Sequence, residues 1–247
     1  MALLVDGTLN TMETLKAQDS GVMEVSHGEG VDLTAKLEIA RHEIEIEIDT
    51  LLRKTGCGSL GQVVATTALK RWHLLLTLAM TYRDAYFSQL NDRYKERWKA
   101  YEEEARAAGE RVLEDGVGMA RNPLARPGTA QAEIAAGGLA ETTYWVRTSW
   151  VGADGAESEA SEGVCVPADW PHSLTVRQSV EDAPEAATGW NVYVGQAPGN
   201  ETKQNAEPLA AGETWTLSAG SLSLGTEPKD GQEAEYYCSR RRLMRRG

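Results

Sequence analysis

Histidines, cysteines and clustered carboxylates are the side chains from which most protein chemistry is built, and this sequence keeps them apart. His27, His42, His73 and His172 fall in no His-x-x-x-His frame, and Cys57, Cys165 and Cys238 fall in no Cys-x-x-Cys frame, so spacing gives a metal site no support. The runs Glu43-Ile44-Glu45-Ile46-Glu47 and Glu102-Glu103-Glu104 can be read as paired carboxylates for acid–base work, but on helices they read better as solvated faces. Gly116-x-Gly118 lacks both the preceding strand and the third glycine of a dinucleotide loop, and neither a phosphate-binding Gly-x-x-x-x-Gly-Lys-Ser/Thr nor a Gly-x-Ser-x-Gly elbow occurs. His73, beside Trp72 in an apolar stretch, reads as a packed core residue. The expectation is a protein that is not an enzyme and holds neither metal nor cofactor.

What remains is recognition chemistry, and it gathers at one end. The segment Ser239-Arg240-Arg241-Arg242-Leu243-Met244-Arg245-Arg246-Gly247 carries five arginines and no acid. Residues 1–239 hold 20 basic and 37 acidic residues, a net −17, against −12 for the whole sequence. Such a body repels nucleic acid, whereas its tail does not. Guanidinium groups pair with carboxylates in a fixed two-pronged geometry, and Leu243 and Met244 supply apolar anchors between them. The plain alternative is a solvated basic end. Trp145, Trp150, Trp170, Trp190 and Trp215 admit a carbohydrate-platform reading, although core tryptophans are normal in β-sandwiches.

The elements that must position these groups change character in mid-chain. With 41% hydrophobic and 25% charged residues the chain is of folded, globular type. The turn-rich stretch Gly116 to Gly128, with Pro123 and Pro127, divides it into two domains. No apolar run approaches the roughly 18 to 20 residues that span a bilayer, so the chain reads as soluble, unexported and without a membrane partner. A Cys165–Cys238 bridge is the pairing open within the β half, while idle thiols are the plain expectation in such a setting.

Residues 1–30 read as an irregular N-terminal arm. From Asp32, a candidate N-cap, Leu33, Leu37, Ala40, Ile44, Ile48 and Leu51 recur at spacings of three and four, and Gly56 ends that helix. Ser59 and Gln62 have capping-box spacing and are expected to open a second helix, apolar on nearly every side from Leu69 to Met80. Tyr82, Tyr86, Tyr94, Trp98 and Tyr101 then form an aromatic seam, which reads either as an ordinary core face or as a face that also packs against another subunit. An unbroken helix from Leu60 to Glu114 would reach roughly 80 Å at about 1.5 Å per residue, so a bend is expected near Thr77 to Thr81.

Beyond the linker, 117–130, strand signals accumulate. Thr142 to Val151 is β-branched and aromatic, Ala153-Asp154-Gly155-Ala156 is a hairpin turn, and further strands are expected at Glu159 to Val166, Ser173 to Val180, Trp190 to Val194 and Thr214 to Leu217. Trp190, Val192 and Val194 alternate with Asn191 and Tyr193, which predicts one core face. The fold class expected is α+β and multidomain: a helical bundle-like domain at 31–116, a β-sandwich at 131–235 and an extended tail at 236–247.

The motifs Tyr144-Trp145-Val146-Arg147-Thr148 and Gly189-Trp190-Asn191-Val192-Tyr193-Val194 resemble immunoglobulin-like or fibronectin type III modules appended to phage structural proteins. The helical segment, with Tyr82-Arg83-Asp84-Ala85-Tyr86, Asn91-Asp92-Arg93-Tyr94 and Trp98-Lys99-Ala100-Tyr101, resembles the head-to-tail adaptor (connector) proteins of tailed bacteriophages. The resemblance covers about a third of the chain. It implies a ring, commonly of twelve copies, at the head–tail junction of the virion, joining the portal protein to a tail or nozzle protein and helping to close the DNA-filled head after assembly in the host cytoplasm. It also implies a portal-binding arm at Arg240, Arg241, Arg242, Leu243, Met244, Arg245 and Arg246, with transient contact to packaged DNA, and subunit packing through Tyr82, Tyr86, Tyr94, Trp98 and Tyr101. The inserted β module departs from the family pattern. The alternative expectation is a capsid-surface or tail adhesin whose β-sandwich binds host glycan or protein.

Overall fold

Asp32 accepts the Ala35 N–H at 3.1 Å and so fixes the start of a 23-residue helix, while Gly56, at φ 66°, turns the chain out of it. The computed structural model in which this is seen describes residues 1–7, 9–89, 92–181 and 183–240. The protein is α+β; among the described residues there are five α-helices, mainly in the N-terminal half, and antiparallel sheets in the C-terminal half. It divides into two compact units, and each is interleaved in sequence. A helical unit comprises Gly7–Ala120 and the chain from Ala234 onward, and a β unit comprises Met1–Asp6 and Arg121–Glu233.

The helices are α1 (Met12–Gln18), α2 (Val22–Glu29), α3 (Leu33–Thr55), α4 (Thr67–Gln89) and α5 (Lys95–Asp115). In α3 the buried residues are Leu33, Ala40, Ile44, Ile48, Leu51 and Leu52, so the alternating Glu-Ile run belongs to a helix, as the longer stripe requires. The apolar helix α4 lies at the centre and packs on α1, α2, α3 and α5. Gly109 lets α5 come close, since a Cβ there would sit 2.7 Å from the Trp72 ring. That contact, with Tyr82 stacked on Tyr101 at 5.6 Å, sets α4 and α5 antiparallel.

Four expectations for this half need correction. Residues 1–30 are not an irregular arm. Leu15, Val22 and Val25 of α1 and α2 are buried against α4, and the first six residues join the β unit, with Ala2, Leu3 and Leu4 buried there. Helices this short carry too few apolar residues to leave a periodic trace. The break expected at Thr77 to Thr81 does not occur: α4 is one continuous helix through that stretch, where the Thr77 and Thr81 hydroxyls bond back to His73 O and Thr77 O. The helix ends at Gln89 instead, and a 3₁₀ turn, Asp92–Tyr94, leads into α5. Ser59 and Gln62 open only the 3₁₀ turn Leu60–Gln62. The start of α4 is marked by Thr66, whose hydroxyl accepts the Leu69 N–H at 3.3 Å.

The fourth correction concerns the linker and the tail. Strand β1 (Val117–Met119) is buried throughout and pairs antiparallel with a strand near the end of the chain, β9 (Tyr236–Cys238), through Val117↔Cys238 and Met119↔Tyr236. Val64 N–H donates to Gly118 O on the other side of β1. The chain therefore returns to the helical unit rather than leaving it as an extended arm at 236. Turn formers at Gly116 and Gly118 masked a three-residue strand whose partner lies more than a hundred residues away in sequence.

The β unit is a sandwich of two antiparallel sheets, with order β2-β5-β8 in one and β4-β3-β6-β7 in the other. The strands are β2 (Gln131–Leu139), β3 (Thr142–Gly152), β4 (Val164–Ala168), β5 (His172–Arg177), β6 (Ala187–Gly195), β7 (Thr202–Lys203) and β8 (Thr214–Leu217). Val146, Trp150, Trp190, Val192 and Val194 from one sheet meet Leu139, Leu174 and Val176 from the other in one core. The expected strand at 159–166 is shorter and later, since between Glu157 and Ser161 only alternate backbone groups pair with β3, Ser158 N–H with Trp150 O and Ser161 N–H with Thr148 O, and side chains supply the rest. Ser158 and Ser161 hydroxyls accept the Trp150 and Thr148 N–H groups at 3.0 Å. Strand β2 carries no sequence signal in Gln-Ala-Glu-Ile-Ala-Ala-Gly-Gly-Leu and is held by its pairing with β5. Among the described residues no helix is long and apolar enough to cross a membrane.

Candidate interaction face of the helical unit

Asp19, in the turn between α1 and α2, gathers two of the five seam residues, Tyr82 and Tyr101. Its Oδ2 accepts the Tyr82 hydroxyl at 2.7 Å and the Tyr101 hydroxyl at 3.0 Å, its Oδ1 accepts the Gly21 N–H at 3.0 Å, and Arg97 Nη1 lies 3.4 Å from both oxygens and 2.9 Å from Tyr82 Oη. Burial works to raise the Asp19 carboxyl, but the hydrogen bonds from Tyr82, Tyr101 and Gly21 and the nearby Arg97 charge together hold it below the ordinary aspartate value. The Tyr82 phenol is pushed up to about 12, first by burial and then by the bond to Asp19, and Tyr101 is raised for the same reasons. Tyr94 turns the same way and donates to Glu29 Oε1 at 3.0 Å. Tyr82 and Tyr94 are buried, and Tyr82 is fully so.

The seam splits at this point. Tyr86 and Trp98 stack on each other at 5.5 Å, and Phe87, 57% exposed, sets its ring 5.0 Å from Tyr86 and 5.5 Å from Trp98. Lys99 Nζ lies 4.0 Å from the Trp98 ring centre. Of the seam residues singled out in the sequence, Tyr82 and Tyr94 are buried, Tyr101 is partly buried with its hydroxyl on Asp19, and Tyr86 and Trp98 are partly buried against the same core while stacking beside the exposed Phe87. Phe87 escaped sequence reading because it lies one residue off the three-and-four spacing, and Asp19 because its side-chain partners are 63 and more residues away.

A groove of about 460 Å³ adjoins this cluster, floored by Leu76, Ala79 and Met80 of α4 and walled by Glu43 and Glu47 of α3 and by Trp98 and Glu102 of α5. Ile39, 43% exposed, stands at its edge, and Ile46 lies seven residues along the same face of α3. Arg240, the first of the expected arm residues, is anchored near the opposite end. Its N–H donates to Leu113 O at 2.9 Å, and its guanidinium is 3.9 Å from Glu47 Oε2. Arg241, Arg242, Leu243, Met244, Arg245 and Arg246 lie outside the described residues.

The remaining chemistry-bearing residues serve the fold. His73 is buried, its Nδ1 2.9 Å from Asn10 Nδ2 and its Nε2 2.9 Å from Leu37 O, and burial holds it below the ordinary imidazole value against the opposing effect of the Leu37 contact. This is the neutral ring with Nε2–H donating to Leu37. Among the described residues no group of three or more His, Cys, Asp or Glu is placed to hold a metal ion. Cys165 is exposed on β4 while Cys238 is buried in the helical unit, with Sγ 3.2 Å from Thr55 Oγ1, so the bridge open to them is not formed. Asn191 and Tyr193 were expected on an outer face, yet both are buried, because Glu157 accepts from Ser149, Asn191 and Tyr193 and closes the second side of the β3–β6 pair. Trp150 and Trp190 are core, whereas Trp170 is 42% exposed beside His172. No protein-family model matches the chain, and no curated protein is significantly similar to it.

Proposed function

We propose that the chain is a structural component that assembles in several copies through its helical unit, in the manner of a tailed-phage head-to-tail adaptor, with the β-sandwich as a decorating module. The observation that carries the reading is the aromatic cluster of Tyr86, Phe87 and Trp98, which adjoins through Trp98 the groove over Leu76 and Met80. Aromatic and methionine side chains left half-open on a rigid helical layer are the composition of an interface centre, and isolated surface apolar residues would not be contiguous in this way. Within this reading the partners are further copies of the chain, a portal protein and a tail protein, and Arg240 to Arg246 form the portal-binding arm.

The test is the light-scattering mass of the purified chain, alone and mixed with a candidate portal. Multiples of the 26.9 kDa monomer, in a closed ring, are expected. A monomer at every concentration, with and without portal, would overturn the reading. The exposed Trp170 favours a second reading, an adhesin using the sandwich surface. Retention on a glycan array that is lost in Trp170→Ala would select it.

A further inference from the structure

The end of the β-sandwich at the β2–β3 turn holds a hollow of about 380 Å³. Strand register explains its lining. Leu139 closes β2 opposite His172, and the turn through Ala140 and Glu141 leads to Thr142 and Tyr144 of β3. Because Trp145 pairs with Gly195, Gln196 comes level with Tyr144 on the neighbouring strand. Leu217, which pairs with Leu174, ends β8, and the chain beyond it brings Ser221 and Leu222 to the far side.

The deciding residue is Tyr144. It is 3% exposed, yet among the described residues its hydroxyl has no hydrogen-bond partner, and burial alone raises the phenol above its ordinary value. Elsewhere the β unit spends such groups on itself: Asn205 on Asn191 and the Val192 N–H, Gln232 on Asn122 and Leu124, Tyr193 on Glu157. The Tyr144 ring is also held. His172, fully buried, donates from Nδ1 to Trp170 O at 2.9 Å and meets Tyr144 in a T-shaped contact, 5.4 Å between ring centres. The hydroxyl is thus in place before any ligand arrives.

We propose that this hollow binds a neutral, hydroxyl-rich ring, a single sugar unit, with Tyr144 as the buried hydrogen-bonding group and Gln196 and Ser221 closing on its hydroxyls. Three properties of the lining select that class. No lysine, arginine or histidine lines the hollow, and the exposed Glu141 stands at its rim, so a phosphate or carboxylate would meet an unopposed negative charge. The lining is also divided, with Leu139, Leu217 and Leu222 apolar and Glu141, Gln196 and Ser221 polar. A sugar ring is divided in the same way between C–H groups and hydroxyls, whereas a purely apolar ligand would leave the Tyr144 hydroxyl unpaired. The volume lies near the small end of ligand pockets, roughly 300–1,000 Å³, which suits one ring better than a long chain.

The inference goes beyond both readings above. Assembly is carried by the helical unit, and the adhesin reading uses Trp170, which does not line this hollow.

Saturation-transfer difference NMR on the full chain tests it. The probes are glucose, galactose, mannose, N-acetylglucosamine and N-acetylgalactosamine, with choline and acetate as charged controls. The expected result is transfer to at least one sugar and to neither control, with an affinity that falls about tenfold in Tyr144→Phe, which keeps the ring and loses the hydroxyl. Gln196→Ala alters an exposed residue outside the core and should weaken the same sugar about threefold, while Trp170→Ala should leave it unchanged. Transfer to no sugar, equal transfer to choline or acetate, or a sugar affinity indifferent to both Tyr144→Phe and Gln196→Ala would overturn the proposal. Binding lost in Trp170→Ala alone would overturn it too, while sustaining the adhesin reading at Trp170.

Discussion

In each unit a buried carboxylate gathers phenol and amide donors, Asp19 in the helical unit and Glu157 in the β unit, and the two do different work. Asp19 draws together residues far apart in sequence, Tyr82 from α4 and Arg97 and Tyr101 from α5, and so fastens the α1–α2 segment onto the helical layer. Glu157 collects Ser149 from β3 and Asn191 and Tyr193 from β6, neighbours on strands already paired, with Lys229 Nζ 3.9 Å away. The first is a joint between segments that would otherwise separate. The second is a polar layer over a sheet whose opposite face supplies the core. The difference teaches that burial of a charge says little by itself; what matters is whether its donors are brought together by that charge or were already in place.

The largest expected effect tests whether the units are energetically separate at all. Trp190 is fully buried between the sheets, with its indole N–H donating to Ala210 O at 3.1 Å. Trp190→Ala should cost the β unit about 3–5 kcal/mol. Urea unfolding followed by near-ultraviolet and far-ultraviolet signals should then separate into two transitions, the helical one unmoved. A single shifted transition would instead couple the units through the crossings at 6/7, 120/121 and 233/234.

Next in size is the joint itself. Asp19→Ala leaves the Tyr82 and Tyr101 hydroxyls without their acceptor, and with hydrogen bonds to charged groups contributing about 1.5–3 kcal/mol each, a loss of about 3 kcal/mol in the helical transition is expected. Glu157→Ala should cost less, about 2 kcal/mol in the β transition, because backbone pairing holds Ser149 opposite Asn191 without it. Equal losses would mean that Glu157 too organises its surroundings.

This contrast marks where the sequence is legible. The α3 stripe from Leu33 to Leu51, its Asp32 and Gly56 ends, and the alternation Trp190-Val192-Val194 are local patterns created by burial on one face, and they can be read from a single segment. Strand β1, strand β9 and α1 are short, and the first two exist because of partners remote in sequence, so no window of residues contains their cause. The same holds for the candidate face. Tyr86 and Trp98 were visible as part of a seam, but the seam hydroxyls that turn inward have acceptors remote in sequence, Asp19 for Tyr82 and Tyr101 and Glu29 for Tyr94, which nothing near them announces.

A smaller effect follows from protonation. Asp19 and His73 both titrate in the folded helical unit below their ordinary values, Asp19 because its hydrogen bonds and Arg97 outweigh burial, His73 because burial outweighs its Leu37 contact. The unfolded chain then binds more protons over the interval, so each contribution is fully present above the unfolded pKa and is lost as pH falls. The helical transition should weaken first below about pH 6.5, from His73, and again below about pH 4, from Asp19. Denaturation midpoints measured from pH 8 to pH 3 check this, and Asp19→Asn should remove the lower step while leaving the upper one.

The smallest effect on stability is expected at Phe87, and it sharpens the comparison within the seam. Phe87 is more than half exposed and touches Tyr86 and Trp98 at their edges, so Phe87→Ser should change the helical transition by no more than about 0.5 kcal/mol. Tyr82→Phe, in the inner half, removes a hydroxyl that bridges Asp19 and Arg97 and should cost about 1–2 kcal/mol. Assembly should rank the two the other way. An aromatic ring near the centre of an interface commonly contributes 2 kcal/mol or more (roughly), so Phe87→Ser should weaken self-association at least about tenfold in sedimentation while Tyr82→Phe leaves it unchanged at temperatures where both are folded. If Phe87→Ser destabilises the fold and spares association, the outer half of the seam is core as the inner half is, and the groove beside it loses its claim to be an assembly surface.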